Sequence, residues 1–403
     1  MSIQTILIVG GGQNQCGLIA RARARGLRTV VTDINKDPPG RALADVFVSL
    51  DTKDKEGNLA VARKHAINAV ATDQTDAAVP TAAYVAETLG LPGIGYELAV
   101  RFTNKFVMRE MLRPRLPGHI PEFHYFDHPS QIETFLNDKG GPVSQWIVKP
   151  HTSQGSKGVS RLAEGASAEQ IWSAYRESNF AGLLVERFIE GREYSVEAFV
   201  ERGTIHNLAV TCKEHYPEND CIDRRNYYLG DVDATVERNL YDANTKVIAA
   251  MGLKQGPTHA EYMVGRDGTV YLMEIAARGG GGNISEKLIP YLTGFSPTDG
   301  ILNFALGRPN TMTYGSYRAK FAVMRFVDLP HGRYRPVALP EMDQDWFLHF
   351  DLDLNKEFEA RPVRDSRDRL GYFIVKGATP AEALAREAAV MDRIGAAAGG
   401  GRA

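Results

Sequence analysis

The chain has 403 residues, 43% of them hydrophobic, and a formal net charge of −2. That length exceeds one ordinary domain, and the near-neutral balance gives no electrostatic footprint for nucleic acid or an anionic membrane. Three scattered cysteines, Cys16, Cys212 and Cys221, fit neither a disulfide framework nor a zinc motif and favour a reducing, cytoplasmic setting. The opening MSIQTILIVGGG lacks the features of a signal peptide. No run approaches the roughly 20 apolar residues of a membrane span.

The first segment reads as alternating strands and helices. Thr5–Val9 is an apolar strand, Gly10-Gly11-Gly12 a turn, about Gln15–Arg25 a helix, and Arg28–Thr32 a second strand ending at Asp33. This is the βαβ opening of a parallel sheet. Strands at Val46–Ser49 and Ala69–Thr72, with helices around Asn58–His65 and Ala77–Leu89, continue it to a boundary near Gly95. The glycines invite an NAD-dependent oxidoreductase reading with Asp33 on a ribose. GGGQNQCG is not G-x-G-x-x-G, however, so a tight strand-to-helix turn is preferred. A third reading lets this face contribute to an acceptor-substrate pocket.

Beyond Gly95, Asn104-Lys105-Phe106 sits in a predicted helix over Ala99–Leu112, followed by a proline-rich connection. The strand Trp146–Lys149 runs through Pro150 into HTSQGSKGVSRL. Successive backbone N–H groups of such a loop can close on phosphate oxygens, although by itself it reads equally as a flexible surface loop. Lys149, at the end of an apolar strand, suits a semi-buried cation paired with an anion. The strand Leu183–Ile189 leads through Gly191 to an alternating strand over Glu193–Val200. Phe188 and Ile189 could sandwich a flat base, and Glu193 could accept from sugar hydroxyls. KEHYPENDCIDRRNYYLGD, from Lys213 to Asp231, reads either as a loop closing over substrate, with Arg224 or Arg225 pairing with a carboxylate, or as a solvated surface loop.

A hairpin follows: a strand over Thr258–Val264, the turn Gly265-Arg266-Asp267-Gly268, and a strand over Thr269–Ala276. Regular pairing sets Glu261 across from Leu272 and makes Glu261 and Glu274 diagonal neighbours on one face, roughly 7–8 Å apart. Two carboxylates so placed can hold a hard cation, and Arg278 and Gly279–Gly282 beside them suit a phosphate-bearing substrate. The last segment offers strands within Tyr317–Asp328 and Arg369–Gly377. A helix follows to about Ile394, capped by Thr379 with Pro380 first and Glu382 in the capping-box position. The divisions expected are 1–95, 96–310 with a clamp at about 122–190, 311–395, and a low-complexity, frayed tail at 396–403.

Asn104-Lys105, Val148-Lys149-Pro150, the loop Thr152–Ser160, VERFIEGREYSVE and the carboxylate pair with Arg278 stand in an order that resembles the ATP-grasp superfamily of ligases, over roughly Ile6–Arg386. The resemblance implies an α/β and α+β fold. A Rossmann-like parallel-sheet domain precedes two α+β subdomains that clamp a nucleotide, and a small C-terminal α+β region follows. By that resemblance Lys105 and Lys149 hold ATP phosphates, and Ser153, Gly155, Ser156, Lys157 and Gly158 form the closing loop. Glu186, Arg187 and Ile189 bracket adenine, and Glu193 binds ribose. Glu261 and Glu274 ligate one or two Mg2+ ions, with Mn2+ an alternative. Arg278, with Lys149, meets the transferred phosphoryl group. The family run E-x-N-x-R is here Glu274-Ile275-Ala276-Ala277-Arg278, so a ligand is missing at Ala276, for which a water or Asn283 is the candidate substitute.

The implied reaction joins a small-molecule carboxylate to an amine through an acyl phosphate, releasing ADP and phosphate. The glycine stretch is similar to that of L-amino-acid ligases, which implies that Arg278, Gly280, Gly281 and Asn283 face an amino-acid-like substrate. Purine-biosynthesis ligases and biotin carboxylases are the alternatives within the superfamily, and a non-catalytic ATP sensor the alternative outside catalysis. A homodimer is the superfamily-level expectation.

Overall fold

The computed structural model describes residues 4–339 and 341–399. Four strands, in the order Val46–Ser49, Arg28–Asp33, Thr5–Val9 and Ala69–Ala71, form the parallel sheet that the first segment predicts. Its strands Thr5–Val9 and Ala69–Ala71 and the middle of Arg28–Asp33 are buried on both faces, as continuous apolar runs such as Ile6–Val9 require, while the edge strand Val46–Ser49 is partly exposed. Asp33 accepts from Gly11 N–H (2.8 Å) and Asn35 N–H (2.9 Å), closing the glycine turn on itself.

A small antiparallel sheet, ordered Phe123–Phe126, Leu183–Arg187, Trp146–Pro150 and Ser160–Arg161, carries helices Pro129–Lys139 and Ser167–Glu177 around its own core of Ile132, Trp146, Ile171 and Val185. An eight-stranded antiparallel sheet faces it, in the order Val270–Ala276, Gly256–Gly265, Gly191–Glu201, Thr204–Tyr216, Asn219–Tyr228, Phe321–Phe326, Gly371–Gly377 and Phe347–Leu352. The last three strands come from beyond residue 311, so the C-terminal segment extends this sheet while packing a second core under helix Pro380–Gly399. That helix takes in 396–399 of the expected tail; 400–403 lie outside the described residues. No described helix is long and apolar enough to cross a membrane.

Three local expectations are corrected. The predicted helix over Ala99–Leu112 is two helices, Tyr96–Thr103 and Lys105–Leu112. Asn104 between them is extended, and its side chain accepts from Phe106 N–H (3.0 Å) and Val107 N–H (3.1 Å). A side chain that caps this well competes with helix continuation. Lys213–Asp231 is mostly strand: Thr204–Tyr216 and Asn219–Tyr228 pair across a turn at Pro217-Glu218. The third correction concerns the hairpin. Tyr262 pairs with Leu272, but Glu261 pairs with Glu274, because a bulge inserts Met273. Leu272 and Ile275 therefore both enter the core while Met273 and Glu274 both face the cleft. The two carboxylates are direct cross-strand neighbours, not diagonal ones.

Candidate nucleotide and substrate cleft

The two antiparallel sheets enclose a cleft of about 880 Å³, open to solvent. Lys105, Lys149, Ser153, Ser156, Glu186, Arg187, Ile189, Glu193, Glu261 and Glu274 all line it, drawn from five separate stretches of chain. The break at Asn104 aims Lys105 inward: its ammonium donates to Ser153 C=O (2.7 Å) and pairs with Glu274 (2.8 Å). Behind the cleft, Glu186 is buried between Arg109 (2.5 Å) and Lys149. Burial opposes its ionisation, but those two cations outweigh it and hold the carboxyl at about 2. Glu186 thus positions Lys149, and its side chain is spent on cations instead of a base. Arg187 also turns its side chain away, onto Gln145 (2.7 Å) and the Trp146 ring.

On the large sheet a row of alternating charges crosses the cleft. His215 pairs with Glu193 (2.7 Å), Glu193 with Lys213 (2.9 Å), Lys213 with Glu261, and Glu261 with His259 (3.4 Å), whose other ring nitrogen meets Glu197. Burial alone would raise Glu261 and lower His259. Lys213 and His259 instead keep the Glu261 carboxyl well below its usual range, and Glu197 and Glu261 push His259 up to about 9. Among the described residues, no three His, Cys, Asp or Glu side chains already converge as a metal cage. Glu261 and Glu274 nonetheless fit a divalent ion: they sit directly opposite each other at the cleft surface, and each carries a lysine that supplies the compensating positive charge.

Besides the Lys105 bond to Ser153, the loop Thr152–Ser160 is held at three further points. Gln154 accepts from Asp76 N–H (3.1 Å) in the parallel-sheet domain, Ser156 donates to Cys221 C=O (2.9 Å), and Gly155 C=O accepts from Ser366 N–H (3.1 Å). Gly158 packs where an added Cβ would press on Glu177, Pro150 and Ala174. Gly155 and Lys157 line a second, adjoining cavity of about 1540 Å³, which shares Gln154, Lys213, Asp223 and Glu261 with the first.

Arg278 reaches this second cavity but is clamped bidentately by Asp76 (3.0 and 2.8 Å), which raises its pKa against the opposing effect of burial. Asp73, also buried, accepts from Gly279 N–H (2.8 Å) and Ser285 Oγ–H (2.9 Å), fixing the glycine turn to the parallel-sheet domain. Gly281 and Gly282 face the cavity; at Gly282, φ is +63° and a Cβ would strike Met324. Gly280 lies behind them against Ile284 and Glu197. Asn283 is buried, with its amide on Tyr372 (2.7 Å) and beside His349 (3.1 Å), so it braces the turn and is turned from both substrate and metal.

Arg224 and Arg225 are not brought to the cavity. Arg224 pairs with Asp328 (3.0 Å), and Arg225 with Glu214 (2.7 Å) and Glu387 (3.2 Å). The bulged pairing of their strand directs Lys213, Asp223 and Asn226 into the cavity instead. Asp223 is held at about 2; burial opposes this, and Arg369 and Lys213 outweigh it. No sequence motif marks these residues, or Arg109, Asp73, Asp76 and His259.

The ATP-grasp domain family matches residues 143–287. Among curated proteins, the chain is 25% identical over 219 residues to formate-dependent phosphoribosylglycinamide formyltransferase of Chlorobaculum tepidum, covering 54% of this chain and 53% of that one. It is 22% identical over 245 residues to L-arginine-specific L-amino acid ligase of Bacillus subtilis, covering 59% and 58%. These alignments span little more than half the length of either relative. Solved structures share the architecture almost end to end. L-amino acid ligase from Bacillus licheniformis superposes at TM-score 0.81 with 20% identity, covering 97% of both chains. Phosphoribosylglycinamide synthetase from Anaerococcus prevotii does so at 0.72 with 20% identity, covering 97% and 98%. The loop Thr152–Ser160 and the paired carboxylates Glu261 and Glu274 thus fall within the stretch that matches the ATP-grasp domain family, and the whole chain shares the fold of these solved ligases.

Proposed function

We propose that the protein is an ATP-dependent carboxylate–amine ligase that forms an amide or peptide bond on amino-acid-like substrates. The observation that carries this reading is the joining of two cavities at Lys213, Asp223, Glu261 and Gln154. One cavity is lined by the cations and loop suited to a triphosphate, and the other has polar walls suited to a small zwitterion. Asn226 Oδ1, buried there without a partner among the described residues, calls for a hydrogen-bonding ligand. In the first step a substrate carboxylate oxygen bonds to the γ-phosphorus of ATP as the bond to ADP breaks. An amine then displaces phosphate from the acyl phosphate, its proton passing to solvent.

Lys105 and Lys149 hold phosphoryl oxygens, Ser153–Gly158 exclude water over them, and Ile189 packs against the base. A divalent ion held by Glu261 and Glu274 would offset charge on the transferred group. Arg278, oriented by Asp76, faces that group from the substrate side.

Phosphate release across a panel of amino acids, with ATP and Mg2+ or Mn2+, tests the reading. Release is expected only when a free carboxylate and a free amine are both present. Turnover confined to phosphoribosyl amines would replace amino acids by a sugar-phosphate acceptor, and turnover with NAD would remove the ligase reading altogether.

A further inference from the structure

His259 stands directly across from Ala276, as Glu261 does from Glu274, so these four positions share the cleft face of the hairpin. Ala276 brings only a methyl group to that face. The His259 ring leans toward the carboxylates, with Nε2 3.4 Å from Glu261 Oε1. Its Nδ1 is engaged by Glu197, a carboxylate only 3% exposed. A buried carboxylate on one imidazole nitrogen fixes the ring and aims the other nitrogen outward, which is how metal-bound histidines are oriented.

We propose that His259 supplies, through Nε2, a nitrogen ligand to the divalent ion held by Glu261 and Glu274, in the space that Ala276 leaves. The proposal rests on the metal reading of those two carboxylates. Cation entry displaces Lys213 from Glu261 and Lys105 from Glu274. The resulting donor set of two carboxylates and one imidazole shifts preference from Mg2+, which demands oxygen ligands, toward Mn2+ and Co2+.

The test uses Mn2+ as the probe on the full chain without nucleotide. Pulsed electron paramagnetic resonance is expected to show 14N modulation from a directly bound imidazole. His259→Ala should abolish that modulation and weaken Mn2+ binding about 10- to 100-fold. Adding Ala276→Asn to His259→Ala should recover affinity through an oxygen ligand without restoring the nitrogen signal. If wild-type protein binds Mn2+ with no nitrogen modulation while Glu274→Ala loses the ion, the histidine ligand is overturned and the carboxylate site stands. If Glu274→Ala binds Mn2+ as tightly as wild type, the carboxylate reading and the proposal fall together. The wild-type spectrum decides the point even if His259→Ala does not fold.

Discussion

Glu186 holds two cations in place behind the cleft, and its titration should be visible in the stability of the whole chain. Its folded pKa, about 2, lies below the ordinary 4.5. A depressed carboxylate stabilises the fold fully above its unfolded pKa and loses that contribution as pH falls through the folded one. The shift corresponds to about 3 kcal/mol, present at neutral pH and lost progressively between about pH 5 and pH 2. Glu186→Gln should therefore flatten the acid limb of a urea-denaturation profile. At pH 7 it should cost about 3–5 kcal/mol, because Arg109 and Lys149 are left buried without their anion. An unchanged acid limb would mean that other carboxylates govern acid unfolding. Arg225 gives the opposite contrast. Its guanidinium serves Glu214 and Glu387, so Arg225→Ala should lower the melting temperature while leaving the KM for either substrate within about twofold. A selective rise in the KM for the carboxylate substrate would return Arg225 to the cavity.

Elements set the aim of these side chains. Asn104 ends one helix and caps the next, and Lys105 enters the cleft because the chain turns there. Asn104→Ala should cost about 1 kcal/mol in stability, the usual worth of such a cap. It should also weaken ADP binding measured by calorimetry, whereas Asn104→Asp should retain both. Loss of stability with ADP affinity intact would show that Lys105 is aimed by something other than the cap. This junction marks the limit of what the sequence makes legible. Apolar periodicity finds Ala99, Phe102 and Phe106 on one face but says nothing about a polar residue that bonds the next turn in preference to continuing the last. The parallel-sheet strands, the clamp strands Trp146–Pro150 and Leu183–Arg187 and the Thr379 cap are legible because each follows from local pattern. The bulge at Met273 was not, since period-two alternation assumes unbroken pairing and Glu274 changes face once one residue is inserted. The Lys213–Asp231 stretch reads as a loop for a related reason: its outward face is charged, its inward face lines a cavity, and neither has the apolar pattern of a strand.

At the scale of the molecule, the site exists because distant segments meet. Asp76 lies in the loop after the first sheet's strand Ala69–Ala71, Arg278 just past the large sheet's edge strand Val270–Ala276, and Ser366 beyond both. None of these pairings has a local signature, which is why Lys149, Glu261 and Glu274 could be found from motifs while Arg109, Asp76 and Asp223 could not. The loop Thr152–Ser160 gathers the three regions: it binds the parallel-sheet domain through Gln154, the large sheet through Ser156 and the C-terminal segment through Gly155. Two of these ties use loop side chains and one uses backbone only, so they can be separated. Gln154→Ala with Ser156→Ala should remove two tethers and leave the Gly155–Ser366 and Ser153–Lys105 bonds. None of the three is deep in the core, so the double variant should unfold within about 1 kcal/mol of wild type. Local opening, however, should become easier, and Lys157 offers the readout, since trypsin cuts after it only when the loop leaves the cleft. Cleavage there should speed up several-fold in the double variant, with a matching rise in the KM for ATP, and ADP should slow it in both proteins. Equal cleavage rates with and without the two side chains would mean that the bonds from Ser366 and Lys105 to the loop backbone keep it closed.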